Sequence, residues 1–149
     1  MGIVIISDTS CLISLDKIGQ LDLLQKLFQH ILTTRAVQVE FGKELPNWIR
    51  IQEVQNTSKV QELETILDQG EASAIALALE TESSLLIIDE KKGRKVAQNL
   101  NISIIGTLRV VQMAKQKAII DSTRPLIEAL REAGFRLSPK ILDILLKDE

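Results

Sequence analysis

Four acidic residues in this 149-residue chain sit where local pattern gives an acid little reason to be. Asp8 ends the aliphatic run IVII at 3–6, in the phrase ISDTS. Glu40 lies in TTRAVQVEFG, four residues after Ala36 and three after Val37, so as a helix this segment places it on their face. Glu71 opens GEASAIALALE, with Ala74, Ile75, Ala78 and Leu79 at spacings of three, four, seven and eight, and therefore points inward as well. Asp89 ends a second aliphatic run, LLII at 85–88, which leads straight into DEKKGRK. Each acid has an ordinary alternative: a helix cap for Asp8, a rim glutamate with a packed stem for Glu40, a first-turn acid for Glu71 and a turn residue for Asp89. Taken together, four acids at strand ends or on inward helix faces point to one shared site.

Carboxylates gathered in one place raise one another's pKa and resist joint ionisation unless a cation neutralises them. Oxygen donors without a companion His or Cys select hard Mg²⁺ or Mn²⁺ over zinc. Such an ion, keeping several waters, suits phosphate chemistry, and phosphodiester hydrolysis is the natural candidate. The single histidine, His30, lies outside the set, so metal-activated water takes the place of a histidine base. Thr9 and Ser10 bring hydroxyls that can support a carboxylate or a metal-bound water. Glu90 either joins the site or is solvated beside Lys91 and Lys92, and Thr107 in GTLRV either caps a helix or turns its hydroxyl to the site. Lys92, Arg94 and Lys95 either meet the phosphate backbone of a nucleic-acid substrate or form the wet face of an ordinary helix. Cys11 reads as a small buried hydrophobe, and Trp48 as the anchor of the loop ELPNWIR rather than a platform for a base.

Short strands must deliver these acids. The runs at 3–6 and 85–88 are continuous rather than alternating, as in strands covered on both faces. Weaker strand signals are HILTT at 30–34, IRIQEV at 49–54 and ISII at 102–105. Helical stripes lie between them: Leu21, Leu24, Leu27 and Phe28; Val60, Leu63, Ile66 and Leu67; and the stripe behind Glu71. Alternating strands and helices predict a mainly parallel sheet with helices on both faces and ligands outside the carboxyl ends of the strands. After Ile120 the chain reads as helical, with Gly134 as a stop and Ser138–Pro139 launching a last helix through Ile141, Leu142, Leu145 and Leu146. That last stripe suits core, a dimer surface or a partner protein.

Bulk composition agrees with one domain spanning residues 1–149 and ending in a helical tail. Apolar residues make up 45% of the chain and charged residues 26%, while aromatics at 3% require an aliphatic core. One cysteine excludes an internal disulfide framework, and no apolar run reaches membrane-spanning length, so a cytoplasmic location without membrane attachment is expected. The formal charge of −2 gives no global attraction for nucleic acid, so any such binding must rest on a local basic patch.

These residues also carry a resemblance. ISDTS, Glu40 on its helix, GEASAIALA and LLIIDE look like the four acidic motifs of the PIN domain, the fold of VapC-type toxins from prokaryotic toxin–antitoxin pairs. In detail, LDKIGQLDLL, IIDEKKGRKVA, IIGTL and LREAGFRLS resemble a prokaryotic PIN subfamily of unassigned function, over almost the whole chain. The resemblance implies a three-layer α/β/α sandwich, a Mg²⁺- or Mn²⁺-dependent endoribonuclease, a small cognate antitoxin protein and a homodimer. One departure bears on metal stoichiometry: many relatives carry a further aspartate shortly after the fourth motif's first, whereas Lys91 and Lys92 follow Asp89 and Glu90 here. The competing reading is a catalytically weak or inactive PIN-shaped module acting through a protein partner. A phosphatase would want a second aspartate at Ser10, and a phospho-accepting receiver would want paired early acids, so both are disfavoured.

Overall fold

A computed structural model of the chain describes residues 2–147. At its centre is a five-stranded sheet, all parallel, in the order β3-β2-β1-β4-β5. The strands are β1 (Val4–Ser7), β2 (Ile31–Thr33), β3 (Ile49–Ile51), β4 (Ser84–Ile87) and β5 (Ile104–Ile105). All five overlap the strand signals of the sequence: β1 and β4 are shifted by one residue from their aliphatic runs, and β2, β3 and β5 are shorter than the segments that announced them.

Helices α1 (Thr9–Lys17), α2 (Asp22–Phe28), α3 (Arg35–Phe41) and α7 (Thr107–Gln116) contribute to one core, together with Ile31, Ile49 and Ile87. Helices α4 (Thr57–Glu64), α5 (Gln69–Glu80) and α6 (Lys91–Asn99) contribute to a second, against Ile6, Leu86 and Ile88. Successive residues of a strand point to opposite faces, so Leu86 and Ile88 enter one core while Ile87 between them enters the other. The result is the three-layer α/β/α sandwich expected. α5 explains its run of alanines: from Gly70 to Ala78 it is buried, and small side chains let it press close to α3, α4 and β4. Trp48 is 7% exposed and packs in the first core, so it does anchor its loop.

Beyond α7 the tail folds into α8 (Arg124–Glu132) and α9 (Pro139–Lys147). Gly134, at φ 101°, occupies the left-handed region that ends α8, and the Phe135 amide returns to the Leu130 carbonyl at 2.9 Å. Val111, Ile127 and Leu130, all fully buried, form a third cluster beneath this tail. The Ser138 side chain accepts from the Ile141 amide at 3.1 Å, as an N-cap should. Ile141 and Ile144 face solvent, whereas the side chains of Leu145 and Leu146, expected on the same stripe, lie outside what is described.

Strand order reverses between β1 and β4. From β1 the chain steps outward to β2 and β3, then crosses back to β4 and β5, leaving a crevice beyond the carboxyl ends of the two central strands.

Candidate metal-binding active site

The ladder between β1 and β4 pairs Ser7 with Ile87, and the Asp8 amide extends it by donating to the Ile87 carbonyl at 3.0 Å. Asp8 and Asp89 therefore leave neighbouring strands at the same rim. α1 and α7 begin two residues after the ends of β1 and β5, α6 begins four after the end of β4, and α5 directs its first turn to the same place.

Asp8 is 3% exposed. It occupies the N-cap position of α1 but makes no capping bond, and its Oδ1 is buried without a hydrogen-bond partner. Burial is the main reason its pKa rises to about 7; the charges of Asp68, Glu40 and Asp89 add to the rise, and the Thr9 amide opposes it. Glu71 is 6% exposed on the inward face of α5, and its Oε2 is likewise buried without a partner. Burial comes first again, then the charges of Asp68, Asp8 and Glu90 and a hydrogen bond with Asp68, together lifting Glu71 to about 8.

Glu40 and Asp89 are held differently. The helix geometry corrects the expectation for Glu40: Val37 and Phe41 fill the buried stripe of α3, and Glu40, at its edge, is exposed. Its carboxylate still turns to the site, accepting from the Thr9 hydroxyl at 3.1 Å and from the Gly70 amide. Partial desolvation and the charge of Asp68 raise its pKa against these two donors. Asp89 Oδ1 accepts from the Thr107 amide at 2.8 Å, while Oδ2 accepts from the Thr107 hydroxyl at 2.6 Å and the Ser10 hydroxyl at 3.3 Å. Thr107 is the first residue of α7 and Gly106 its N-cap, so the threonine hydroxyl serves the carboxylate rather than capping the helix.

Three glycines make this approach possible. A Cβ on Gly70 would overlap Glu40 Oε1, one on Gly93 would lie 2.6 Å from Glu71 Oε2, and one on Gly106 would lie 2.9 Å from Asp89 Oδ1. Each belongs to the first turn or N-cap of a helix, where amides and the helix dipole favour a carboxylate. The sequence reading passed over all three.

It also passed over Asp68. This exposed N-cap residue of α5 accepts from the Glu71 amide at 2.8 Å, and its charge raises the pKa of Asp8, Glu40 and Glu71. The capping pattern D-x-x-E in LDQGEA was the available signal. Glu90 is the exposed N-cap of α6, close enough to act on Glu71. Lys92 and Lys95 are exposed on α6, but Arg94 is half-buried and donates to the Ile88 carbonyl at 2.7 Å, a local bond that ties α6 to the end of β4. His30 precedes β2, at the amino ends of the strands and so on the side of the sheet away from this rim. Cys11 is fully buried, and burial, reinforced by Asp89, pushes its thiol up and leaves it inert.

Among the described residues, no three Asp, Glu, His or Cys side chains are placed to hold a metal ion together. The reason is visible in the bonds: Glu40 and Asp89 are turned to hydroxyl and amide donors, leaving Asp8 Oδ1 and Glu71 Oε2 as the buried oxygens without partners. A buried polar atom without a partner is costly, and two carboxylate oxygens in that state suit a hard divalent cation. As all-oxygen donors without a histidine or thiolate, these carboxylates fit Mg²⁺ or Mn²⁺ better than zinc.

Compared with known families, residues 4–148 match a family model described as a PIN domain. No match was found among curated proteins or among solved structures.

Proposed function

Since this chain belongs to the PIN domain family, whose members are generally nucleases using divalent metals, we propose that it is a Mg²⁺- or Mn²⁺-dependent endoribonuclease and the toxin of a toxin–antitoxin pair. The observation that carries the metal-dependent reading is the pair of unpartnered buried oxygens, Asp8 Oδ1 and Glu71 Oε2, at the carboxyl ends of the central strands.

In this reading Asp8 and Glu71 would hold the ion, and Glu40 and Asp89, fixed by Thr9, Gly70, Ser10 and Thr107, would support it from the rim. A bound dication supplies activated water and offsets charge on the phosphoryl group. Asp8 and Glu71 surrender their protons when it binds, because the cation replaces the missing partner of each carboxylate. Asp68 and Glu90 add negative potential at the rim that favours a dication over a monovalent one. Lys92 and Lys95 face outward from α6, where an RNA backbone leaving the site would pass.

An antitoxin or a second copy of the chain belongs to the same reading and is supported by the solvent-facing Ile141 and Ile144 of α9. No helix among the described residues is long and apolar enough to cross a membrane, and a single domain acting in the cytoplasm completes the proposal.

The test is RNA cleavage with Mn²⁺, with Mg²⁺ and with chelator, run beside Asp8→Asn. Cleavage that requires metal and disappears in the variant is the expected result. Equal cleavage by the variant would overturn the assignment. No cleavage together with no heat of Mn²⁺ binding would leave the protein as a PIN-shaped interaction module.

A further inference from the structure

Beside the acidic rim lies a second concavity that the nuclease reading leaves unused. It has a volume of about 300 Å³ and is lined by Ser10, Ser14 and Lys17 of α1, Glu90 at the start of α6, and Phe135 and Arg136 in the turn after α8. At 300 Å³ it is at the small end of ordinary ligand sites. Ser10, Ser14 and Lys17 follow at spacings of four and three, so one stripe of α1 forms a whole wall. Ser10 joins that wall to the acids, because the hydroxyl that lines the groove also donates to Asp89.

The opposite wall is built firmly. Gly134 in its left-handed conformation reverses the chain, and the Phe135 amide closes the turn on Leu130. Phe135 is half-buried, packing one side against the Leu130 cluster while lining the groove. Lys17 and Arg136 are exposed, and neither forms an ion pair among the described residues. Two exposed cations against the single carboxylate of Glu90, with two hydroxyls and an aromatic ring, next to a site for phosphate chemistry, match the parts of one nucleotide: phosphate, sugar edge and base. In a chain of net charge −2, such a local pair of cations is what nucleic-acid binding requires.

We propose that this groove seats one unpaired RNA nucleotide adjacent to the scissile phosphate, with Lys17 and Arg136 on the backbone and Phe135 against the base. The proposal rests on the nuclease reading for its substrate and adds the residues that hold one nucleotide of it. A groove closed by a helix on one side and a turn on the other admits a base splayed from its strand, and a duplex offers none.

The experiment measures binding of a short fluorescein-labelled single-stranded RNA by anisotropy, using full-length Asp8→Asn protein so that cleavage does not intervene. Adding Lys17→Ala with Arg136→Ala is expected to weaken binding about tenfold and to reduce the salt-dependence slope by about 1.4, as for two lost phosphate contacts on a single strand. Phe135→Leu, which keeps the apolar packing, is expected to weaken it roughly tenfold by loss of stacking. Unchanged melting curves establish that the fold survives; if Phe135→Leu fails to fold, the cation pair decides alone. In otherwise wild-type protein the same changes are expected to raise KM for RNA with kcat nearly constant.

Binding or KM indifferent to all three residues, or tighter binding of duplex than of single strands, overturns the groove while cleavage by the wild type still upholds the nuclease. Groove-dependent binding without any cleavage upholds the groove and sinks the nuclease. Absence of both sinks both.

Discussion

Asp8 and Glu71 are the residues at which folding and the proposed function conflict. Each keeps a buried carboxylate oxygen without a donor, so in the metal-free protein the charged forms are penalised. Asp8→Asn removes an ionisable group from that place. Near pH 8 in chelator it is expected to raise the melting temperature, by about 2–4 °C for each kcal/mol of burial cost relieved, while RNA cleavage falls about 100-fold or more. A calorimetric melt and a cleavage assay check the two halves, and a variant that is less stable and equally active contradicts both. Thr107 presents the converse case. Fully buried, it satisfies Asp89 through both amide and hydroxyl, and Thr107→Val deletes the 2.6 Å bond while keeping shape. Urea unfolding is expected to show a loss of about 1–3 kcal/mol, accompanied by reduced cleavage.

At the scale of elements, the site depends on helices brought unusually close to carboxylates. Gly70 is buried in the first turn of α5, where alanine is otherwise the better helix former. Its added methyl would displace the flexible end of Glu40 and press on the Thr9 hydroxyl, 2.9 Å away. Gly70→Ala is therefore expected to leave the urea midpoint nearly unchanged and to reduce cleavage about 10- to 100-fold, the scale of a lost outer-shell contact. Gly93→Ala differs because the new methyl would also lie 2.8 Å from Ile88 Cδ1 in the core, so there both stability and activity are expected to fall. The tail packs around Val111, Ile127 and Leu130. Leu130→Ala is expected to cost about 2–5 kcal/mol in denaturant unfolding and to loosen the turn that carries Phe135 and Arg136.

For the molecule as a whole, the raised carboxyl pKa values set the dependence on pH. Unfolded, Asp8 and Glu71 release protons near 3.8 and 4.5; folded, near 7 and 8. Between about pH 4 and 8 the folded state thus binds more protons than the unfolded one, and unfolding free energy falls as pH rises. The metal-free protein is expected to melt at a progressively lower temperature across that window. Mn²⁺ competes with those protons, so its affinity is expected to climb over the same range, with proton release measurable by calorimetry in buffers of different ionisation enthalpy. Saturating Mn²⁺ should then restore most of the melting temperature lost near pH 8. A stability profile that rises toward pH 8 in chelator would mean that the two acids are not buried as described.

The residue pattern alone sufficed for the five strands, the parallel order implied by strand–helix alternation, the tail's stop at Gly134 and the cap at Ser138. All of these follow from local periodicity and turn chemistry, which depend on neighbours within a few positions. It also sufficed to mark Asp8, Glu71 and Asp89 as acids at the mouth of an apolar core. Which carboxylate oxygens lack partners was decided only in three dimensions, because the donors to Glu40 and Asp89 come from residues 31 and 79 positions away for Thr9 and Ser10. The same holds for the outward setting of Glu40, the inward bond of Arg94, the share of Asp68 in the site and the groove between α1 and Phe135. The groove and the charge of Asp68 on Asp8 and Glu40 depend on groups brought together from distant parts of the chain, while the settings of Glu40 and Arg94 depend on where a helix face lands against its neighbours, and chain spacing carries no record of either.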